Sequence, residues 1–149
     1  MRLDRIASGL SALLLAACGV PAPDCTDAGV QRNLSTLVRE RVLRAELDAS
    51  SVEDAALRGR IEMATSVIVE DTHRTGGDER KTLCNATIAI EGMGADLRSI
   101  ARSETDVAYW VALGDDGRFF VGLTYSDLDA IAAAYTSATW AGRDRPSPR

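Results

Sequence analysis

The stretch RKTLCNATIAI, residues 80–90, alternates in a way that predicts the fold. Every second residue is apolar or small, which is the spacing of a β-strand with one face on a core. The residues on this face are Thr82, Cys84, Ala86, Ile88 and Ile90. Such a strand needs neighbouring strands, and a layer of helices to cover its apolar face.

Neighbouring strands are predicted on both sides of this stretch. Residues 61–70 alternate as well, with Ile61, Met63, Val67 and Val69 apolar, and a glycine-rich turn at residues 75–78 joins them to the next strand. Glycines at positions 92 and 94 predict the end of that strand. A second hairpin is predicted from residues 107–113, a turn at residues 114–117 and residues 119–124.

Segments with apolar residues at helical spacing precede and follow these strands. Residues 27–47 predict one long amphipathic helix, and residues 52–57 predict a short helix that begins at Ser51, with Asp54 three positions later. A last helix is predicted from Ser126 to about residue 139. The apolar positions of the long helix are Val30, Leu34, Leu37, Val38 and Val42, and those of the last helix are Leu128, Ile131 and Tyr135.

The predicted fold class is therefore α+β. A long N-terminal helix packs on a four-stranded antiparallel sheet of two hairpins, and a C-terminal helix closes the structure. This order looks like cystatin-like or related folds, in which a helix packs on a curved sheet. Residues 25–141 are expected to form the single domain, with a disordered tail at residues 142–149 that contains Pro146 and Pro148.

The first residues have the features of a secretory signal. Arg2 and Arg5 precede a mostly apolar run over residues 6–15, and small residues follow at Ala16 and Ala17. The tetrapeptide Leu15-Ala16-Ala17-Cys18 resembles the lipobox of bacterial lipoprotein precursors. Residues 1–17 are then a lipoprotein signal peptide, and residues 18–24 are a lipid anchor followed by a spacer that contains prolines.

The resemblance implies that Cys18 receives a diacylglycerol and that the chain is cut before it. Each buried methylene contributes about 0.8 kcal/mol, so several acyl chains on one residue form a lasting membrane anchor. The expected location is the cell envelope, facing the periplasm or the cell exterior. Gly19 follows the anchor, and the absence of aspartate at this position favours the outer membrane.

With Cys18 carrying lipid, two cysteines remain, Cys25 and Cys84. In an oxidising compartment these two are expected to form a disulfide, and Cys84 lies on the apolar face of its strand. Two unpaired buried cysteines and a thiol metal site are the alternatives. The second alternative lacks a companion histidine at ligand spacing.

Charge and motifs exclude several kinds of function. The chain carries 17 Lys and Arg against 22 Asp and Glu, a net charge of -5, and has no basic cluster, so we expect no nucleic acid partner. The single histidine, His73, follows the first strand and belongs to no nucleophile motif. The sequence predicts no catalytic residue, no metal ligand and no cofactor.

Aromatic residues on the second hairpin are the candidate partner surface. Trp110, Phe119 and Phe120 lie near one another, and since strand neighbours face opposite sides, some must point outward, with Trp110 the expected one. Cross-strand packing alone is the other interpretation. The function expected is a membrane-anchored, non-enzymatic envelope lipoprotein that binds a protein or serves as an assembly subunit.

A different function is a small-ligand carrier or enzyme, with an apolar pocket between sheet and helices. The polar groups that could line such a pocket are Thr82, Thr87 and His73.

Overall fold

The computed structural model describes residues 21–50, 53–93 and 100–143. They form an α+β fold with three helices and a four-stranded open antiparallel sheet in the order β1-β2-β3-β4. The elements are α1 Ala28–Ser50, α2 Ala55–Ala64, β1 Ser66–Gly77, β2 Lys81–Met93, β3 Ile100–Leu113, β4 Phe119–Gly122 and α3 Tyr125–Arg143. The predicted signal peptide, Cys18, Gly19, Ser51 and the tail beyond residue 143 lie outside the described residues.

The core lies between one face of the sheet, here called the inner face, and helices α1 and α3. The predicted inward face of β2 is confirmed, because its five residues at positions 82, 84, 86, 88 and 90 are all buried. Four residues of α1 and four of α3 belong to the same buried cluster: Val30, Leu34, Val38, Val42, Leu128, Ile131, Ala132 and Tyr135. Full burial of one such side chain contributes about 1.5–3 kcal/mol, so the alternation in β2 determines which face is covered.

Helix α1 begins close to the predicted position. The Asp27 carboxylate accepts hydrogen bonds from the backbone N–H groups of Gly29 at 2.7 Å and Val30 at 3.2 Å. These are two of the N–H groups that a helix start leaves without a partner. The cap fixes the helix start directly after Cys25, at the end of the sheet where the β1–β2 turn lies.

The prediction that Ile61 and Met63 belong to the first strand is wrong. Both lie in α2, which begins after Asp54, whose side chain accepts hydrogen bonds from the N–H groups of Ala56 and Leu57. Ile61 is fully buried on this helix, whereas Met63 is 81% exposed. Two apolar residues two positions apart do not distinguish a helix from a strand. The short helix predicted over residues 52–57 is observed at Ala55–Ala64, with Asp54 as its cap.

The predicted strand end at Gly92 is also wrong. Strand β2 continues to Met93, and β3 begins at Ile100 instead of residue 107, so that Gly92 pairs with Ala101. A Cβ atom at position 92 would overlap the hydroxyl of Tyr135. Glycine is required here by the close approach of α3 and does not mark a turn.

The last helix begins at Tyr125, three residues after Gly122, where the second hairpin ends instead of at residue 124. Thr124 is its cap in place of the predicted Ser126, since the Thr124 hydroxyl accepts from the Asp127 N–H at 3.2 Å and donates to its carboxylate at 2.6 Å. The helix continues to Arg143, past the predicted start of the tail. Of the helices that the structure describes, none is long and apolar enough to span a membrane.

Candidate interaction surface

A disulfide joins Cys25 to Cys84 with an S–S distance of 2.03 Å, as predicted. The two alternatives, unpaired cysteines and a thiol metal site, are therefore wrong. Both residues are buried, and the bond links the segment before α1 to the inner face of β2.

Two hydrogen bonds fix the same segment near the β1–β2 turn. The backbone N–H of Ala22 donates to the carbonyl of Glu79 at 2.9 Å. The hydroxyl of Tyr109 donates to the carbonyl of Cys25 at 3.2 Å, and burial raises the pKa of this phenol to about 12. The start of the described chain is thus attached to one end of the sheet, the end that carries the β1–β2 and β3–β4 turns.

The opposite side of the sheet, here called the outer face, carries the side chains between the buried positions. The register places Leu83 beside Trp110, Thr87 beside Asp106 and Glu91 beside Arg102 on this face. Because α1 and α3 pack on the inner face, these strands expose polar and apolar groups together to solvent.

An apolar patch occupies the outer face next to the two turns, and consists of Leu83, Trp110 and Phe120. Leu83 is 41% exposed and Phe120 is 54% exposed. The indole of Trp110 lies over Gly122, where a Cβ atom would overlap the ring, and the Lys81 ammonium lies 5.3 Å from the ring centroid. This contact places a cation on the π face of the indole at the edge of the patch.

Phe119 does not belong to this patch. It pairs with Leu113 at a position that faces the core, and its ring packs beside Gly29 at the start of α1. The candidate partner surface predicted from Trp110, Phe119 and Phe120 therefore splits between the two faces of β4. Leu83 takes the place of Phe119, and it could have been found in the sequence, since it precedes the inward-facing Cys84.

A band of carboxylates crosses the outer face beyond the patch. We call Glu70, Asp71, Glu91, Glu104 and Asp106 the carboxylate band. Arg102 lies within it, bonded to Glu104 at 2.7 Å and to Glu91, with Glu70 at 4.0 Å. The bonds to Glu104 and Glu91 raise the pKa of this guanidinium, which is therefore cationic at any working pH.

Between the patch and the far end of the band lies a concavity of about 380 Å³. Its polar lining consists of Asp71, His73, Asn85, Thr87 and Asp106. A bulge forms one wall, because β1 loses pairing between Glu70 and His73 and Asp71 adopts a positive φ of 49°. Bulges of this kind change the direction of side chains at a sheet edge.

Of the three polar residues predicted to line a pocket, two meet in this concavity. The Thr87 hydroxyl donates to the Asp106 carboxylate at 2.7 Å, and the His73 Nδ1 lies 3.0 Å from the Asp71 carbonyl. Thr82 is buried on the inner face instead. The concavity thus lies on the outer face, while core side chains fill the layer between the sheet and helices α1 and α3.

The chemistry available on the outer face is acceptance of hydrogen bonds and attraction of cations. In the concavity, the carboxylates of Asp71 and Asp106 converge with the carboxamide of Asn85, and each of these groups is exposed or half-exposed. Within the described ranges, no group of three or more histidine, cysteine, aspartate or glutamate side chains is arranged to hold a metal ion. Aromatic residues are enriched in protein interfaces, and polar groups commonly surround them at the rim.

In comparisons with known proteins, no family model, no curated protein and no solved structure matches this chain.

Proposed function

We propose that the protein is a lipid-anchored bacterial envelope protein that binds another protein through the outer face of its sheet and carries out no reaction of its own. Cys18 receives the lipid, and the domain faces the periplasm or the cell exterior, with the outer membrane as its expected site. The Cys25–Cys84 disulfide supports this location, because such bonds persist in oxidising compartments. Nucleic acid is not a partner.

The patch of exposed Leu83 and Phe120 with half-buried Trp110 is the observation that carries the proposed binding function. Large apolar side chains exposed next to one another on a sheet indicate an interaction site, and tryptophan is enriched among residues that dominate interface energies. The short spacer between Cys18 and the domain supports a partner that is membrane-bound or close to the membrane. Four residues from Cys18 to Ala22 span at most about 14 Å, so the turn end of the sheet lies near the bilayer.

The order of the elements also supports a finer fold assignment. A long first helix, an antiparallel sheet and a closing last helix are consistent with cystatin-like folds, and this grouping is part of the proposal. It implies nothing about activity, because unrelated functions share such folds.

Replacing Cys18 by serine tests the anchor. The variant C18S should no longer take up labelled palmitate in cells, since the thiol that carries the lipid is gone. The matched control is C25S/C84S, which removes the disulfide, retains Cys18 and should still take up the label. If C18S took up as much palmitate as the unaltered protein, lipidation at Cys18 would be rejected.

A second candidate function is binding of a small ligand in the concavity lined by His73 and Thr87. The observation that favours it is the concavity itself, which at about 380 Å³ falls in the size range of small-molecule sites. Native mass spectrometry of the protein extracted from its own cells would reveal a bound molecule as added mass. Loss of this mass in H73A with an unchanged fold would assign the ligand to the concavity.

A further inference from the structure

We infer that the partner segment docked on the outer face is amphipathic and positively charged, with apolar residues on the patch and lysine or arginine on the carboxylate band. This inference rests on the proposed function and names the chemistry of the partner at the same surface. It follows from the charge of the band, from the position of the patch and from the exclusion of other occupants.

The charge of the outer face is the first step. The five carboxylates of the band face one cation within it, Arg102, which gives the band a net charge of -4. Lys81 beside the patch adds one positive charge, so the outer face as a whole remains negative at -3. Arg74 does not reduce this charge, because it pairs with the inward-facing Cys84 and so belongs to the other face. Asp71 and Asp106 are exposed beside the concavity. Such a field attracts cations and accelerates their association.

The position of the patch is the second step. Leu83 and Glu91 are eight residues apart on β2, a distance of about 27 Å along the strand. Trp110 and Arg102 have the same spacing on β3. One helix of about 18 residues would cover this distance. A single partner segment can therefore place an apolar anchor on the patch and basic side chains on the band.

Charge also decides against other occupants. A second copy of this chain laid face to face would bring two carboxylate bands together, and like charges across an interface are unfavourable. An anionic bilayer would repel the band in the same way. A neutral apolar partner would use the patch and leave the carboxylates unmatched.

Photocrosslinking in the native cells identifies what lies on this face. Benzoylphenylalanine is placed at position 83 within the patch or at position 104 within the band of the full chain, and at position 40 on α1 as the control. The adducts are digested and sequenced by mass spectrometry. We expect positions 83 and 104 to capture neighbouring peptides of one protein, with a net positive charge and at least one large apolar residue.

Two further measurements test the role of charge. The variant E104Q/D106N should lower the adduct yield at position 83 at least fivefold, whereas the matched control E40Q/E53Q should leave it unchanged. Oxidised Cys25–Cys84 and an unchanged urea midpoint establish that each variant is folded. For the unaltered band, raising the salt from about 0.05 M to about 0.5 M in isolated membranes should lower the yield severalfold, because exposed charges are screened.

The outcomes separate this inference from the proposed function. Capture of a partner peptide without net positive charge, or yields insensitive to both salt and E104Q/D106N, overturns the inference and leaves a partner on the outer face. Capture of lipid alone, of a second copy, or of this chain's own residues 144–149 overturns both. An adduct yield at positions 83 and 104 no higher than at position 40 also overturns both.

Discussion

Reduction of the Cys25–Cys84 disulfide should lower the free energy of unfolding by roughly 4 kcal/mol. The bond closes a loop with a sequence separation of 59 residues, which includes α1, α2 and β1. In the chain-entropy model, closing a loop of this length lowers the entropy of the unfolded chain by about 14 cal/mol/K. Domains of this size are stable by only about 5–15 kcal/mol, so this bond accounts for a large share.

The assay is urea unfolding of the full chain carrying C18S, followed by circular dichroism with and without a reductant. Because the free energy of unfolding falls by about 1.5 kcal/mol for each 1 M of urea, the urea midpoint should fall by roughly 2–3 M on reduction. Reduction removes no buried heavy atom, so the loss that it causes measures the effect of the cross-link alone. The variant C25A/C84A also creates small cavities, so its free energy of unfolding should be lower still. A loss below about 1 kcal/mol on complete reduction would refute the reasoning, because the unfolded chain would then gain no freedom from the opened loop.

Three further changes have expected outcomes. Burial raises the pKa of Tyr109 to about 12, so its contribution to the free energy of unfolding is fully present below pH 10 and falls by up to about 2 kcal/mol as the pH rises toward 12. Y109F should reduce this fall, measured as the urea midpoint at each pH. An unchanged fall would mean that Tyr109 is not its source. In G92A the added methyl overlaps the Tyr135 hydroxyl, so thermal unfolding should show a loss of about 1–3 kcal/mol, while G59A, with open space around it, should lose none. D54A removes the cap of α2 and should cost about 1 kcal/mol in urea unfolding, whereas an effect near zero would mean that the cap does not hold the helix.

Much of the fold could be predicted because the alternation in β2 is long and unbroken. Five buried positions in register identified both the inner face and the side on which Cys84 lies. The start of β3 was missed because two of its inward positions carry Ser103 and Thr105, so that apolar and polar residues do not alternate there. Gly92 was read as a break because the helix that approaches it follows much later in the chain.

The candidate surface could be predicted only in part. Trp110 was correctly expected to point outward, but the sequence could not tell which of Phe119 and Phe120 faces outward, because that depends on the register with β3. The carboxylate band was not foreseen for the same reason. Its members come from three strands, and only the pairing of Glu70, Glu91 and Glu104 around Arg102 brings them together.

The intact mass of the protein extracted from membranes, before and after reduction and alkylation, tests the anchor and the disulfide together. We expect the mass of residues 18–149 plus acyl chains, and a gain of two alkyl groups only after reduction, from Cys25 and Cys84. A mass without acyl chains would contradict the proposed anchor at Cys18, and alkylation before reduction would contradict the disulfide.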